Sequence, residues 1–393
     1  MKTSVKSWIF RVAVLLIGCG VLNVTAAGQG APHYLITNDD VSAFITSVSF
    51  YSIGNGGRIT LQQTVPTGGY GIAGGYFGLN RLVVLDSSDN QCVYASEATT
   101  GDIVGIAVGT LAVTSSTLGS SNDTGTSNGI GLATNGQYLY AGYTDSSNIG
   151  TFQIQPNCSL SFVNDITVNG LQGGIVDAMA VHGNIMVVTY ADGSIESFNV
   201  SNGTPVSNGD EQNSTAAISA QGATYPSAVD ITQDGHFALF GDTSTAMVVE
   251  VSDISSGQLT KTIPYQTGTS ISSSNILLSP DETMLYISDT QGDRVSAVLF
   301  NSSTGQVSAG CTSSLLRGYS SRWSYLAGLA QPSTTGNGGG VYVAEYGAPS
   351  TIATIEVTSS AGGCSMQEAP NSPQFDNSSP GLLSIGTFPP RPF

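Results

Sequence analysis

Five carboxylates in this chain of 393 residues close short apolar runs: Asp39, Glu97, Asp242, Asp289 and Glu345. Asp145 and Asp192 stand at related, slightly shifted positions. Hard cations such as Ca²⁺ take several carboxylate oxygens at once, so a ring of these acids would suit a divalent ion or a cationic ligand. A plainer role competes: each carboxylate caps its own turn through an Asx-type hydrogen bond. No calcium-loop spacing of the D-x-D-x-D-G kind occurs, which favours the plainer role.

A second group of candidates joins aromatic rings to scarce cations. The stretch LLRGYSSRWSYL, residues 315–326, contains Arg317, Tyr319, Arg322, Trp323 and Tyr325. Tyr70, Tyr76 and Phe77 form a second such group, and Tyr225 stands in a third segment. Rings beside guanidinium groups suit stacking on a sugar or anchoring a protein partner. The competing reading packs Trp323 and Tyr325 beneath their loop and pairs the arginines with surplus acids.

Other suggestive strings lack the context their chemistry needs. Gly69–Gly74 satisfies G-x-G-x-x-G, but no helix is expected after it to receive a pyrophosphate. Gly125–Gly129 satisfies G-x-S-x-G but precedes a strand, whereas a nucleophile elbow leads into a helix. His33, His182 and His236 are the three histidines. The last two fall in turns of different repeats and are expected at the surface, so no shared metal or proton relay is expected of them. Seven Asn-x-Ser/Thr sequons after the leader, at Asn122, Asn157, Asn199, Asn202, Asn213, Asn301 and Asn377, are what such an Asn-, Ser- and Thr-rich chain contains by chance.

The elements that must position these groups form a repeat. The clearest copy is SPDETMLYISD, residues 279–289; weaker ones are DSSDNQCVYASE to Glu97, ATNGQYLYAGY from Ala133, TQDGHFALFGD to Asp242 and VYVAE to Glu345. The last apolar residues before the first turn of each copy are Leu85, Ala133, Val181, Ile231, Leu278 and Leu329, spaced 48, 48, 50, 47 and 51 apart. Short strands and turns at such a period predict an all-β ring of four-stranded antiparallel blades, a β-propeller. Six blades are complete. YLITND (34–39), SVSFYSI (47–53) and RITLQQT (58–64) supply the second to fourth strands of a seventh, and GLLSIGTF (381–388) supplies its first. Strands from both chain ends would then close the ring and leave no open edge. One propeller domain is expected over 34–388, with a tail over 389–393.

Residues 1–27 read as a targeting segment: Lys2, Lys6 and Arg11 precede an apolar run. Two processing sites stay open. Leu16-Ile17-Gly18-Cys19 fits a lipoprotein signal ending at residue 18, which would put a lipid anchor on Cys19; alternatively, cleavage follows Ala26 or Ala27. Either way the protein is expected outside the cytoplasm, in the periplasm, on the outer membrane or beyond. The formal charge is −17, and loss of the leader, with three basic residues and no acid, brings it to −20. Such a surface disfavours nucleic acid and anionic lipid. Cys92, Cys158, Cys311 and Cys364 remain and allow three disulfide connectivities; Cys92–Cys158 with Cys311–Cys364 is favoured, because each bond joins neighbouring blades.

The pattern S-P-D-x-x-x-L-Y-[IV]-[SA]-[DN], followed by a strand and T-G-x-[LV], resembles the bacterial YVTN-repeat and lactonase-type seven-bladed propellers. The likeness spans the chain after the leader and is close over residues 279–305. It implies the propeller fold and puts lactone hydrolysis forward as an activity. Where this sequence has acids after the second strand, YVTN repeats usually carry Asn. No catalytic residue of that family maps onto a matching position here, so the catalytic residues stay unassigned. The expected function is therefore an exported, monomeric binding platform for a glycan, a protein, a small molecule or a cation, with Ca²⁺ as an optional ligand and no required cofactor. The alternative is a lactonase-like hydrolase of a neutral sugar lactone.

Overall fold

The computed structural model describes residues 33–39, 45–72, 80–118, 129–144, 146–213, 226–242, 248–255, 257–266, 273–289, 294–317, 325–332, 340–347, 349–360, 363–376 and 381–391. They form seven antiparallel sheets, each with a four-strand ladder. Blades 2 to 7 follow in chain order. Their first strands are Leu82–Asp86, Ile130–Thr134, Val176–His182, Pro226–Ile231, Ser273–Leu278 and Tyr325–Ala330. Two three-residue 3-10 turns are the helical structure among the described residues, and none of their helices is long and apolar enough to cross a membrane.

Blade 1 is built from both ends of the chain. Leu382–Phe388 is its first strand and pairs antiparallel with Tyr34–Asp39. Ile45–Ile53 and Ile59–Tyr70 complete the sheet. The expected assignment of the C-terminal run therefore holds, and so does the seven-blade count.

Strand composition follows position in the ring. A second strand lies between its neighbours in the sheet and between two blades, so both of its faces are covered. Gln91–Glu97 accordingly reads QCVYASE and is buried at all but its first residue. A fourth strand forms the rim; Gln306–Thr312 reads QVSAGCT and has no buried residue. Seven apolar clusters fill the structure, one at each contact between adjacent blades. The core is thus a set of spokes. Each spoke is stabilised by about 25 cal/mol per Å² of apolar surface removed from water.

Both favoured disulfides are formed. Cys92–Cys158 joins blades 2 and 3, and Cys311–Cys364 ties the fourth strands of blades 6 and 7. The carbonyl of Cys158 lies so close to Gly105 that a Cβ there would sit 2.2 Å from it. Glycine at this position lets the bridging segment lie against blade 2.

Candidate functional site

The first strands of all seven blades surround a central channel. Each begins at the face bearing the loops between blades and ends at the face bearing the first hairpin turns. A cavity of about 230 Å³ occupies the channel, with Asn80 and Asn275 among its polar lining and Leu82, Met179, Leu277 and Ile385 among its apolar lining.

Two first strands carry carboxylates at opposite ends, Asp177 at the loop end and Asp230 at the turn end. At the loop end, Asp177 is the second residue of its strand and sits in a β-bulge: Val176 and Ala178 pair with Tyr190 and Thr189, which leaves Asp177 without a ladder partner. Its side chain is 5% exposed. It accepts no hydrogen bond from a described residue, and burial pushes its pKa up to about 7. Asp177 is not among the residues that line the cavity; a carboxyl poised near neutrality in this way is the kind of group that gathers at functional sites.

At the turn end, Asp230 meets a cation from the opposite side of the ring. Beyond blade 1 the chain continues through Pro389 and Pro390 and carries Arg391 across the channel to blades 5 and 6. The Arg391 guanidinium grips Asp230 with both arms, Nη2 to Oδ1 at 2.9 Å and Nη1 to Oδ2 at 3.0 Å. It also donates to the carbonyls of Ile231 at 2.7 Å and Leu278 at 3.3 Å. Such a forked, charge-assisted pair is stiff as well as strong. His182 lies beside it at the cavity wall. Burial lowers the His182 pKa, and the nearby Arg391 charge lowers it further, against the pull of Asp234 and Asp230. The expectation that His182 sits at the surface holds in part: it is half-buried, with Gly235 of the next blade so near that a Cβ there would fall 3.3 Å from the ring. His236 is exposed in its turn, as expected.

The acids singled out from sequence have other employment. Asp39 is buried and accepts from the hydroxyls of Thr37 at 3.0 Å, Ser47 at 2.7 Å and Ser49 at 3.0 Å. Burial and the neighbouring Asp376 carboxylate raise its pKa against those bonds. Tyr51 in turn donates to Asp376. Glu97 takes the hydroxyl of Thr46, 2.7 Å away in blade 1, and so joins two blades; burial raises its pKa. Glu345 is buried and accepts from Thr351 on the next strand of its blade. Asp192 pins the loop before blade 4 through the backbone N–H groups of Gln172 and Gly174 at 2.8 and 3.0 Å. Burial alone would raise its pKa, but the Ser194 hydroxyl and three backbone donors hold it below the usual value. Asp242 and Asp289 end their strands as expected, and their side chains lie outside the described residues, as does Asp145. Among the described residues no three His, Cys, Asp or Glu side chains come together to hold a metal ion.

Of the aromatic-cation group, Tyr70 is 44% exposed at the end of its strand. Arg317 pairs with Glu368 at 3.2 Å and donates to the carbonyls of Ala369 and Pro370, tying its loop to the end of blade 7. Tyr76, Phe77, Tyr225, Tyr319, Arg322 and Trp323 lie outside the described residues. Sequence reasoning passed over Asp177, Asp230 and Arg391. A lone acid inside an apolar first strand, VDAMAVH or PSAVDI, is the signal that marks the first two.

Residues 92–372, more than half of the chain, match the family of lactonases with a seven-bladed β-propeller. No curated protein sequence matches the chain. Among solved structures, a putative 6-phosphogluconolactonase from Bacteroides fragilis superposes with a TM-score of 0.54 at 16% identity, over 70% of this chain and 79% of that one. The periplasmic gluconolactonase of Pseudomonas aeruginosa gives 0.53 at 16% identity, over 70% and 80%. A protein of unknown function from Desulfotomaculum acetoxidans gives 0.58 at 13% identity, over 88% and 99%. At these identities the structural likeness extends to the fold alone.

Proposed function

Because the chain belongs to the seven-bladed lactonase β-propeller family, we propose that it hydrolyses a small neutral lactone at the loop end of its central channel. The observation that carries the reading is Asp177, a buried carboxyl in a bulge at the loop end of an innermost strand, without a described hydrogen-bond partner and held near neutrality. In the ring opening, water adds to the lactone carbonyl as Asp177 takes its proton. The ring C–O bond then breaks, and the proton passes to the departing ring oxygen. The products are a hydroxy acid and a regenerated carboxylate. A general base of this kind contributes about 10²- to 10⁴-fold when its pKa lies near the working pH.

Charge supports the neutral form of the substrate. At a formal charge of −17 the chain repels an anionic phosphate ester, and Arg391, the cation lining the described cavity, is already engaged by Asp230. Two disulfides are compatible with a protein that works outside the cytoplasm.

Acid release from neutral and phosphorylated sugar lactones tests the reading. Turnover of a neutral lactone that disappears in Asp177→Asn is the expected result. Binding without turnover would instead support a ligand platform on the loop face, and turnover unaffected by Asp177→Asn would remove Asp177 from the mechanism.

A further inference from the structure

The seam where blade 7 meets blade 1 sets two buried carboxylates beside each other. Leu35 and Tyr51 of blade 1 pack in one apolar cluster with Tyr342, Ala344 and Ile352 of blade 7. Side chains alternate along a strand, so Thr37 and Asp39 share the face of Leu35, and Ser47 and Ser49 share that of Tyr51. Blade 7 brings Asp376 to this face, directly after Phe375, the ladder partner of Thr351. Asp39 takes the hydroxyls of Thr37, Ser47 and Ser49, and Asp376 takes that of Tyr51. Both acids thus hang on one row of side chains, whose members stand roughly 7 Å apart along the strand. Both are buried. Among the described residues, the charge that acts on Asp39 is that of Asp376; the strands against it contribute the three hydroxyls and Leu382, its ladder partner.

The place of the pair matters as much as its chemistry. Asp39 closes the ladder between the N-terminal strand Tyr34–Asp39 and the C-terminal strand Leu382–Phe388. Asp376 belongs to the segment that leads into that C-terminal strand. The two acids therefore join pieces from opposite ends of the chain. Two further bonds cross the same seam, from the Ile59 N–H to Gln374 Oε1 and from the Tyr342 hydroxyl to the Gly57 carbonyl, each at 3.1 Å. Neither changes charge between pH 5 and pH 9, since burial pushes Tyr342 up to about 12.

We infer that the ring is closed by a proton-dependent latch: a proton on Asp39 lets it lie beside the Asp376 carboxylate and hold the chain ends together, and loss of that proton loosens blade 1. Two like charges side by side in a desolvated place oppose each other's ionisation. Burial, and then the Asp376 charge, hold the Asp39 pKa well above the usual carboxylate value against its three hydroxyl bonds. The closed seam therefore keeps a proton that the unfolded chain releases near about pH 4. Closure is full in acid and is lost as the pH rises through the folded pKa. The latch needs no substrate and stands apart from the lactonase reading.

Amide hydrogen exchange of the whole protein reads the latch, because it resolves local opening from global unfolding. Protection of the Tyr34–Asp39 and Leu382–Phe388 amides is compared with that of the Ile130–Thr134 amides in blade 3. A global effect, such as titration of Asp177, cancels in that ratio. In the wild type the ratio should fall at least about tenfold between pH 5 and pH 9, the change that one unit of pKa carries. Asp376→Asn keeps an acceptor for Tyr51 and removes the second charge. Its ratio should stay level across the range and exceed that of the wild type at pH 9. Asp39→Asn carries the same expectation, should the first variant fail to fold. A wild-type ratio that does not change with pH would overturn the latch. So would a fall in a folded Asn variant as steep as that in the wild type.

Discussion

Two aspartates on the first strands of neighbouring blades, Asp177 and Asp230, begin from the same kind of position and end in opposite conditions. Both interrupt an apolar first strand, and of the two only Asp230 lines the channel cavity. Asp230, at the turn end, has been given a fixed cation and two backbone donors, the N–H groups of Ile231 and Leu278. Asp177, at the loop end, stands in a bulge with burial as the cause of its raised pKa and no described donor turned toward it. A carboxylate whose hydrogen-bonding capacity is taken up is a fastener. One whose capacity is unspent in a desolvated place is a poised acid or base, and such groups gather at functional sites. Identical chemistry has been divided by its partners.

The largest effect that would break or sharpen this contrast is expected at Asp177. Asp177→Asn should lower kcat/KM by about 10³-fold toward a neutral lactone, as removal of a general base does. The same variant should be more stable than the wild type at pH 8. The sign follows from linkage: the folded pKa is raised to about 7, so the folded state binds more protons than the unfolded state between about pH 4 and 7. Stability is therefore lost as pH rises through that window and stays lost above it, by an amount on the order of 4 kcal/mol. Melting curves of both proteins at pH 5 and pH 8 measure this. Equal pH dependence in the two would show that Asp177 is not the titrating group.

The next effect is a kinetic counterpart. Wild-type kcat/KM should rise about tenfold per pH unit below neutrality and level off above a midpoint near the Asp177 pKa of about 7. A flat profile from pH 5 to 8 would remove the general base from the mechanism.

At the other end of the channel the prediction is structural. Asp230→Ala and Arg391→Ala should each destabilise the fold by about 2 kcal/mol, with a double-mutant coupling of about 1 kcal/mol or more, because each leaves a mostly covered charge behind. Neither should move the pH midpoint of turnover. A shift of that midpoint would mean that the two ends communicate and are not independent. The smallest effect should come from Arg317→Ala. Its guanidinium is half-exposed, which limits the pair with Glu368 to about 1 kcal/mol or less, measurable by urea denaturation.

The blades were legible from sequence because each carries its own evidence. Leu277-Leu278, a polar turn and Met284-Leu285-Tyr286-Ile287 declare two strands and a hairpin without reference to the rest of the chain. Ring closure was legible for a related reason: GLLSIGTF is a first strand without a blade, and YLITND a second strand without a predecessor. The candidate site was far less legible. Regular acids at the second-strand ends attracted attention, yet Asp39, Glu97 and Glu345 serve Ser and Thr hydroxyls around them. The groups that distinguish the two channel ends are irregular. Nothing in VDAMAVH says that its acid will sit in a bulge, and nothing in the sequence around Arg391 says that it will meet Asp230.

What the amino-acid sequence by itself determined was the repeat, the blade count and the strand shared by the two chain ends; among three cysteine pairings it favoured the one that the structure forms. These depend on contacts that recur or that join adjacent blades, so local pattern suffices. Only the tertiary structure decided which carboxylates are spent and which is poised, and that Arg391 crosses to Asp230 at the turn end. Those outcomes depend on groups 161 residues apart in the case of Asp230 and Arg391, and on burial, which depends on everything packed around a side chain.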